Sequence, residues 1–192
     1  KSIERLSSGL RINRAGDDAA GLVISQKLRA EASGLRQSVR NAQDGVSFVQ
    51  TAEGALDEVS GMLNRMRDLT VQHLNGTQDT NSQAAIQDEY NALADEIVRI
   101  ESSTKFAGAD VFGAGIKNFQ VGNASTDIIA LADIDLTTRA GNVDAETAID
   151  SGTLAVLDTA ISAVATTRGN LGATQNRLES TVRNLSVTSE NL

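Results

Sequence analysis

The sequence contains no cysteine and no proline, and only 3% of its 192 residues are aromatic. Without cysteine it can form neither a disulfide nor a thiolate metal site. Without proline it lacks the strongest helix breaker, so very long helices are permitted. Because large rings are scarce, a core must be built from Ala, Leu, Ile and Val, which suits a thin helical bundle better than a thick globular core.

Basic charge is also scarce. The chain has 17 Lys and Arg residues against 25 Asp and Glu residues, which gives a net charge of −8 at pH 7. No basic tract is present, so the sequence argues against binding to nucleic acid or to an anionic membrane surface. No apolar run approaches the roughly 18 residues that a membrane span needs. We therefore expect neither nucleic acid nor membrane as a partner.

Apolar residues recur at steps of three and four along three segments, which is the period of helices that pack in a bundle. The first helix is predicted over residues 18–74, with Asp17 and Asp18 at its start because a carboxylate there caps free N–H groups. At 1.5 Å per residue it would be roughly 85 Å long, which indicates a rod. The Asn75–Gly76 pair predicts the turn that ends it.

A second, shorter helix is predicted to follow this turn. Thr80, Asn81 and Ser82 are its candidate N-caps, and it should end near Thr104. Because the connection is short, we expect this helix to fold back antiparallel on the first one.

The third helix is predicted to begin near residue 151 or 153 and to show no stop before residue 192. Its d positions from Leu157 onward are all apolar, whereas its a positions include Arg168, Gln175 and Ser189. Ser, Thr, Asn, Gln, Ala and Gly fill most other positions. We expect a one-sided seam that packs inside the bundle, with a small polar flank that faces further subunits.

Residues 105–152 are punctuated by glycines and change in character. Residues 116–121 are predicted as a strand and residues 122–126 as a turn. Residues 137–152 are predicted as loop. The second strand should present one alternating row: Ile128, Ala130, Ala132, Ile134 and Leu136. The predicted fold class is mainly α, an elongated antiparallel helical bundle of a long N-terminal helix, a shorter second helix and a long C-terminal helix, with a small β-hairpin region.

No catalytic, cofactor-binding or metal-binding set is evident. His73 is the only histidine, so the usual triads and multi-histidine metal sites are excluded. Neighbouring carboxylates on a helix point about 100° apart and do not converge on one ligand. This applies to Asp88–Glu89 and to Asp95–Glu96, so a solvated face is the better interpretation. The chain is not expected to be an enzyme.

One polar group on the first helix could meet a partner. Arg65, Arg67 and Asp68 lie beside Leu69, and they point outward if the seam follows residues 63, 66 and 70. We expect these side chains to be free for contacts with another protein.

Several longer motifs resemble the terminal helical regions of bacterial flagellins. They occur in the expected order at both ends of the chain and cover about residues 1–112 and 153–192. The motifs are ERLSSGLRINRAGDDAAGL at 4–22, NAQDGVS at 41–47, QTAEGAL at 50–56, RMRDLTVQ at 65–72 and LGATQNRL at 171–178.

The resemblance implies a secreted, extracellular structural subunit of the bacterial flagellum that self-assembles for motility. In such proteins a D1 rod is built from both chain ends, and outer termini form a D0 coiled coil. Residues 1–17 would be a linker from D0, 18–116 and 153–192 the two parts of D1, and 117–152 a reduced variable region. Because both ends open inside helical patterns, we expect a fragment without D0 that is soluble and largely monomeric.

The resemblance also implies partners. These are other flagellin subunits, a flagellar export chaperone, cap proteins and Toll-like receptor five. By motif position, Arg65, Leu69 and Glu96 would bind the receptor. No cofactor is implied.

One alternative stays open from the sequence alone. A helical coiled-coil signalling module, such as a chemoreceptor-like antiparallel hairpin, would show similar long heptads. It would leave the glycine-rich β region unexplained.

Overall fold

Three long helices carry the fold, and two short hairpins lie beside them. The computed structural model describes residues 6–7, 9, 12–113, 115–132, 134 and 148–191. The helices are α1 (Ala19–His73), α2 (Thr80–Ser103) and α3 (Thr153–Asn191), and the strands are β1 (Lys105–Phe106), β2 (Ala109–Asp110), β3 (Lys117–Gln120) and β4 (Ile128–Leu131). The predicted fold class and the three predicted helices are confirmed.

Carboxylates start the helices. Asp18 caps α1, as predicted, because its side chain accepts a hydrogen bond from the Gly21 N–H at 2.9 Å. The cap of α2 is Asp79, so the prediction of Thr80, Asn81 or Ser82 is wrong. The Asp79 carboxylate accepts the Ser82 N–H at 2.8 Å. Hydrogen bonds from the Ser82 side chain, and next from this N–H, lower the pKa of Asp79.

The α3 helix runs antiparallel to α1 along most of its length. Arg67 pairs with Asp158 at 2.7 Å, and ten residues earlier on α1 Asp57 pairs with Arg168 at 2.9 Å. From the first pair to the second, the residue number falls on α1 and rises on α3, so the two helices run in opposite directions. The N-terminal end of α1 and the C-terminal end of α3 therefore lie at the same end of the rod, which we call the base.

The α2 helix also packs antiparallel to α1. Gln83 donates a hydrogen bond to the carbonyl oxygen of His73 at the turn, and farther along Arg65 of α1 pairs with Glu89 of α2. Since α1 receives both other helices, it is the central element of the bundle.

The α3 seam differs from the predicted one in its second row. The leucine and valine row at Leu157, Val164, Leu171 and Leu178 is buried, as expected. Its partner row is one position earlier than predicted and consists of small residues: Thr153, Ala160, Thr167 and Thr174. The residues at 168 and 175 lie only at its edge.

The threonines of this row can be buried because their hydroxyls are satisfied within the helix. Thr167 donates to the carbonyl oxygen of Ala163, and Thr174 donates to that of Asn170, both at 2.9 Å. Their small size lets α1 and α3 approach closely. Part of the polar flank predicted to face further subunits thus packs inside the bundle.

The β3–β4 hairpin lies where it was predicted, with antiparallel register Lys117 opposite Leu131 and Gln120 opposite Ile128. The predicted alternating row of the second strand is exposed within β4 at Ile128, although Ile134 beyond β4 is buried. Ile129 and Leu131 are buried, whereas Ile128 is exposed. Apolar residues occupy both faces of this strand, so packing against the helices decides its phase.

The β1–β2 hairpin was not predicted. Its two-residue turn has Ala107 at φ 49° and Gly108 at φ 84°, the positive φ pair that tight hairpins require. It brings Phe106 against Phe48 of α1, with ring centroids 5.7 Å apart, and Phe119 of β3 joins the same cluster at 5.9 Å. Three of the four phenylalanines are thus concentrated where the hairpins meet the rod.

Two predictions fall partly outside the described residues. The loop at 137–152 is described only from residue 148, and the linker at 1–17 only in part. The division of the chain at residues 17, 116 and 152 stays a prediction.

Candidate functional site

An ion pair joins α1 and α2 on the surface of the rod. The Arg65 guanidinium contacts the Glu89 carboxylate at 2.7 Å through both its Nε and one terminal nitrogen. Both side chains are about half-exposed, at 53% and 45%. The pair presents a positive and a negative group together on a surface formed by two helices.

Glu96, the acidic residue implied by the resemblance, is not paired with Arg65. Its carboxylate binds Arg99 on the same helix, and this hydrogen bond lowers the pKa of Glu96. Glu89 lies seven residues earlier, which places it on the same face of α2 two turns away. The sequence pattern alone could not choose between these carboxylates, because the choice depends on how α2 is aligned with α1.

Leu69 does not lie on the surface. Its side chain is 1% exposed and belongs to the core. The expectation of a single seam along 63, 66 and 70 left Leu69 outside, but α1 packs against α2, α3 and β3 and so buries a wider stripe. Ala52 and Phe48 are buried for the same reason.

Arg67 is engaged on the other side of α1. Its Nε donates to the Asp158 carboxylate of α3 at 2.7 Å, and this hydrogen bond raises the pKa of Arg67. The expectation that Arg65 and Arg67 are free is therefore wrong. Each joins α1 to a different neighbouring helix, and each stays partly exposed.

Apolar side chains are exposed at the base of the rod. Val23 is 67% exposed, Ile24 60% and Leu28 38% on α1, and Val187 is 58% exposed on α3. Burial on α1 begins only at Leu35. The first turns of α1 therefore extend past the core with their apolar side chains open.

No catalytic or metal centre is formed by the described residues. His73 lies in the last turn of α1, and its buried Nδ1 has no hydrogen-bond partner. Within the described ranges, no three His, Cys, Asp or Glu residues converge on a metal position. None of the described helices combines the length and apolar character that crossing a membrane requires.

Comparisons with known proteins agree with this architecture. Residues 1–117 match the bacterial flagellin N-terminal helical region, and residues 154–192 match the bacterial flagellin C-terminal helical region. The two matched regions cover α1, α2 and all but the first residue of α3, which are the elements of the rod.

Individual relatives match over the whole chain. A flagellin of Halalkalibacterium halodurans is 47% identical, with 100% of this chain and 74% of the relative covered. A flagellin of Bacillus subtilis is 44% identical, with 100% and 76% covered. The crystal structure of Bacillus cereus flagellin superimposes with a TM-score of 0.67 at 33% identity, over 76% of this chain and 88% of that one.

These matches cover both helical ends, and they favour a filament protein over the alternative of a signalling module. Flagellins are structural subunits of the flagellar filament, which agrees with a rod whose described residues form no catalytic centre. The chain belongs to the bacterial flagellin family.

Proposed function

We propose that this filament subunit contacts neighbouring flagellin subunits through the apolar base of its rod. The observation that carries the proposal is the exposed set Val23, Ile24, Leu28 and Val187. Burying one such side chain fully stabilises an association by about 1.5–3 kcal/mol. The set comes from both chain ends, so a second copy seated there would contact α1 and α3 together.

A contact of this kind suits a filament. The base patch is at one end of an elongated molecule, and in the proposed assembly a neighbour meets it with a different surface. Such head-to-tail contacts do not have to close into a ring. When they repeat from one subunit to the next, they produce a helical assembly. The division into a linker at 1–17, a rod at 18–116 and 153–192, and a reduced variable region at 117–152 belongs to the same proposal.

Charge at the base should block this assembly. Replacing Val23 and Ile24 together with Asp is expected to abolish filaments, because two carboxylates would have to be desolvated in the contact. The double variant, introduced into the gene in a flagellin-deficient bacterium, would be tested by electron microscopy of filaments and by swimming. Secreted protein in the medium would show that synthesis and export persist, and circular dichroism of that protein would show that it folds.

Val98 on α2 provides the matched control, since it is 62% exposed but lies away from the base. Val98→Asp is expected to leave filaments intact. Normal filaments in the double variant would show that the base patch does not take part in assembly.

We infer that the chain is exported as an unfolded polypeptide and becomes extracellular. A cysteine-free chain with few large rings is suited to unfolding and refolding. An export chaperone would hold it before export, and cap proteins would direct its folding at the growing tip. A bacterium that retains the protein inside the cell while building normal filaments would contradict this order of export and folding.

We further propose that Toll-like receptor five recognises the surface around Arg65. The half-exposed Arg65–Glu89 pair supports this proposal because it offers charges of both signs on a rigid two-helix face. Glu96 extends the same face of α2 by two turns. Leu69 is buried one turn after Arg65, so its role in recognition would be to hold the position of Arg65 rather than to contact the receptor.

Reversing the charge at Arg65 should weaken recognition. Arg65→Asp is expected to lower receptor activation by about tenfold, which corresponds to about 1.4 kcal/mol and is typical of an important interface residue. The measurement is a dose–response curve in cells that express the receptor. Arg168→Asp is the matched control, because Arg168 also forms a partly exposed ion pair with α1 but on the α3 side. An unchanged dose–response curve for both Arg65→Ala and Arg65→Asp would show that the receptor does not recognise this surface.

A further inference from the structure

The connection between α1 and α2 contains the Asn75–Gly76 pair, which the filament function does not use. We propose that Asn75 is a site of spontaneous deamidation that converts its side-chain amide into a carboxylate. The co-reactant is water, and the reaction needs no enzyme.

The reaction proceeds through a cyclic imide. The backbone nitrogen of Gly76 attacks Cγ of Asn75, so that a new N–Cγ bond forms. The bond from Cγ to the side-chain nitrogen breaks, and ammonia leaves with the proton that Gly76 gave up. Water then opens the succinimide at one of its two carbonyls, which gives either aspartate or isoaspartate at position 75.

The local structure leaves this attack unhindered. Asn75 and Gly76 are both exposed and lie outside the helices. Gly76 has no side chain, and even an added Cβ would meet no atom within 4 Å. Among the hydrogen bonds of the described chain, none engages the Gly76 N–H. The Asn75 side-chain oxygen accepts one long hydrogen bond, from the Thr77 N–H at 3.4 Å, and its carbonyl oxygen accepts the Gln78 N–H at 3.1 Å. Attack by the Gly76 nitrogen therefore disturbs hydrogen bonds of the turn, but it does not require a helix to unfold.

Other asparagines nearby are protected by their surroundings. Asn81 precedes Ser82, whose N–H is held by the Asp79 carboxylate at 2.8 Å. Asn91 lies inside α2, and its side-chain oxygen accepts a hydrogen bond from Gln87 at 2.8 Å. In a helix the next N–H is committed to the backbone ladder, so attack would first require local unfolding.

Conversion would change the end of α1. A carboxylate at position 75 stands beside the last carbonyl groups of α1, where the helix dipole is negative, so the new charge is repelled there. Isoaspartate also adds a carbon to the main chain between two helices that are packed together. We expect the α1–α2 connection to loosen with age while the core stays intact.

The test follows the amide directly. The folded protein is incubated at mildly alkaline pH and then cut with trypsin, which releases the fragment of residues 68–99 between Arg67 and Arg99. This fragment contains Asn75, Asn81 and Asn91, so the last two serve as internal controls in the same peptide. Tandem mass spectrometry is expected to show loss of the amide at Asn75, as both aspartate and isoaspartate, with retention at the other two. Retention at Asn75, or equal loss at all three, would overturn the proposal.

A substitution of Gly76 tests the route. Gly76→Ala should fold normally because its Cβ meets open space and Gly76 is not among the glycines with positive φ. The added methyl crowds the attacking nitrogen, so the amide of Asn75 should persist far longer in this variant. If Gly76→Ala loses the amide as fast as the natural sequence, or if aspartate forms without isoaspartate, attack by the backbone nitrogen is refuted.

Discussion

Replacing Leu63 with Ala is expected to lower the free energy of unfolding by about 2–5 kcal/mol. Leu63 is fully buried on α1 and belongs to the same hydrophobic cluster as Tyr90 of α2 and Leu157 of α3. Truncation removes apolar contacts and leaves a cavity that three long, mutually constrained helices can close only partly. Denaturant unfolding followed by circular dichroism would measure the change.

Val98→Ala is the control for this experiment. Val98 lies on α2 with most of its side chain in water, so its truncation should change stability by less than about 0.5 kcal/mol. A loss below about 1 kcal/mol at Leu63 would mean that the centre of the rod is loosely packed, which contradicts close packing in protein interiors.

The sequence predicted what depends on local patterns. The helix bounds were accurate because the periodic rows end at strong signals, such as Asp18 at the start of α1 and the Asn75–Gly76 turn after it. The row of Leu157, Val164 and Leu171 was also found, because every seventh residue of α3 is a large apolar one.

The errors concern choices that only tertiary packing can make. Thr167 and Thr174 are buried although their residue type is polar, since the helix backbone itself satisfies their hydroxyls. Leu69 is buried because α1 has several packing partners rather than one. The sequence could not show which face of β4 is buried, because both faces are apolar at Ile128 and its neighbours.

The surface pairs follow the same rule. Residue spacing placed Arg65 and Arg67 outside one assumed seam, but it did not show which helix each would meet. Because of the way α2 and α3 are aligned on α1, Arg65 pairs with Glu89 and Arg67 pairs with Asp158. A sequence signal for Glu89 exists only after α2 is known to be antiparallel and the offset between the helices is fixed.

Gly45 of α1 lies where both the β3–β4 hairpin and α3 approach the helix. A Cβ placed there would lie 3.1 Å from a ring carbon of Phe119 and 3.2 Å from a methyl carbon of Leu178. Phe119 is itself in contact with the ring of Phe48, so it has little room to move aside. Gly45 therefore serves the packing of three elements, although glycine weakens a helix interior.

Replacing Gly45 with Val is expected to destabilise the protein by about 1–3 kcal/mol, because overpacking forces Phe119 or Leu178 away from its position. Gly54→Val on the same helix is the matched control: no atom lies within 4 Å of its added Cβ, so the change should stay within about 0.5 kcal/mol. Denaturant unfolding gives both values, and near-ultraviolet circular dichroism reports the phenylalanine cluster. Equal effects at the two glycines would show that close approach of the hairpin does not set the cost at Gly45.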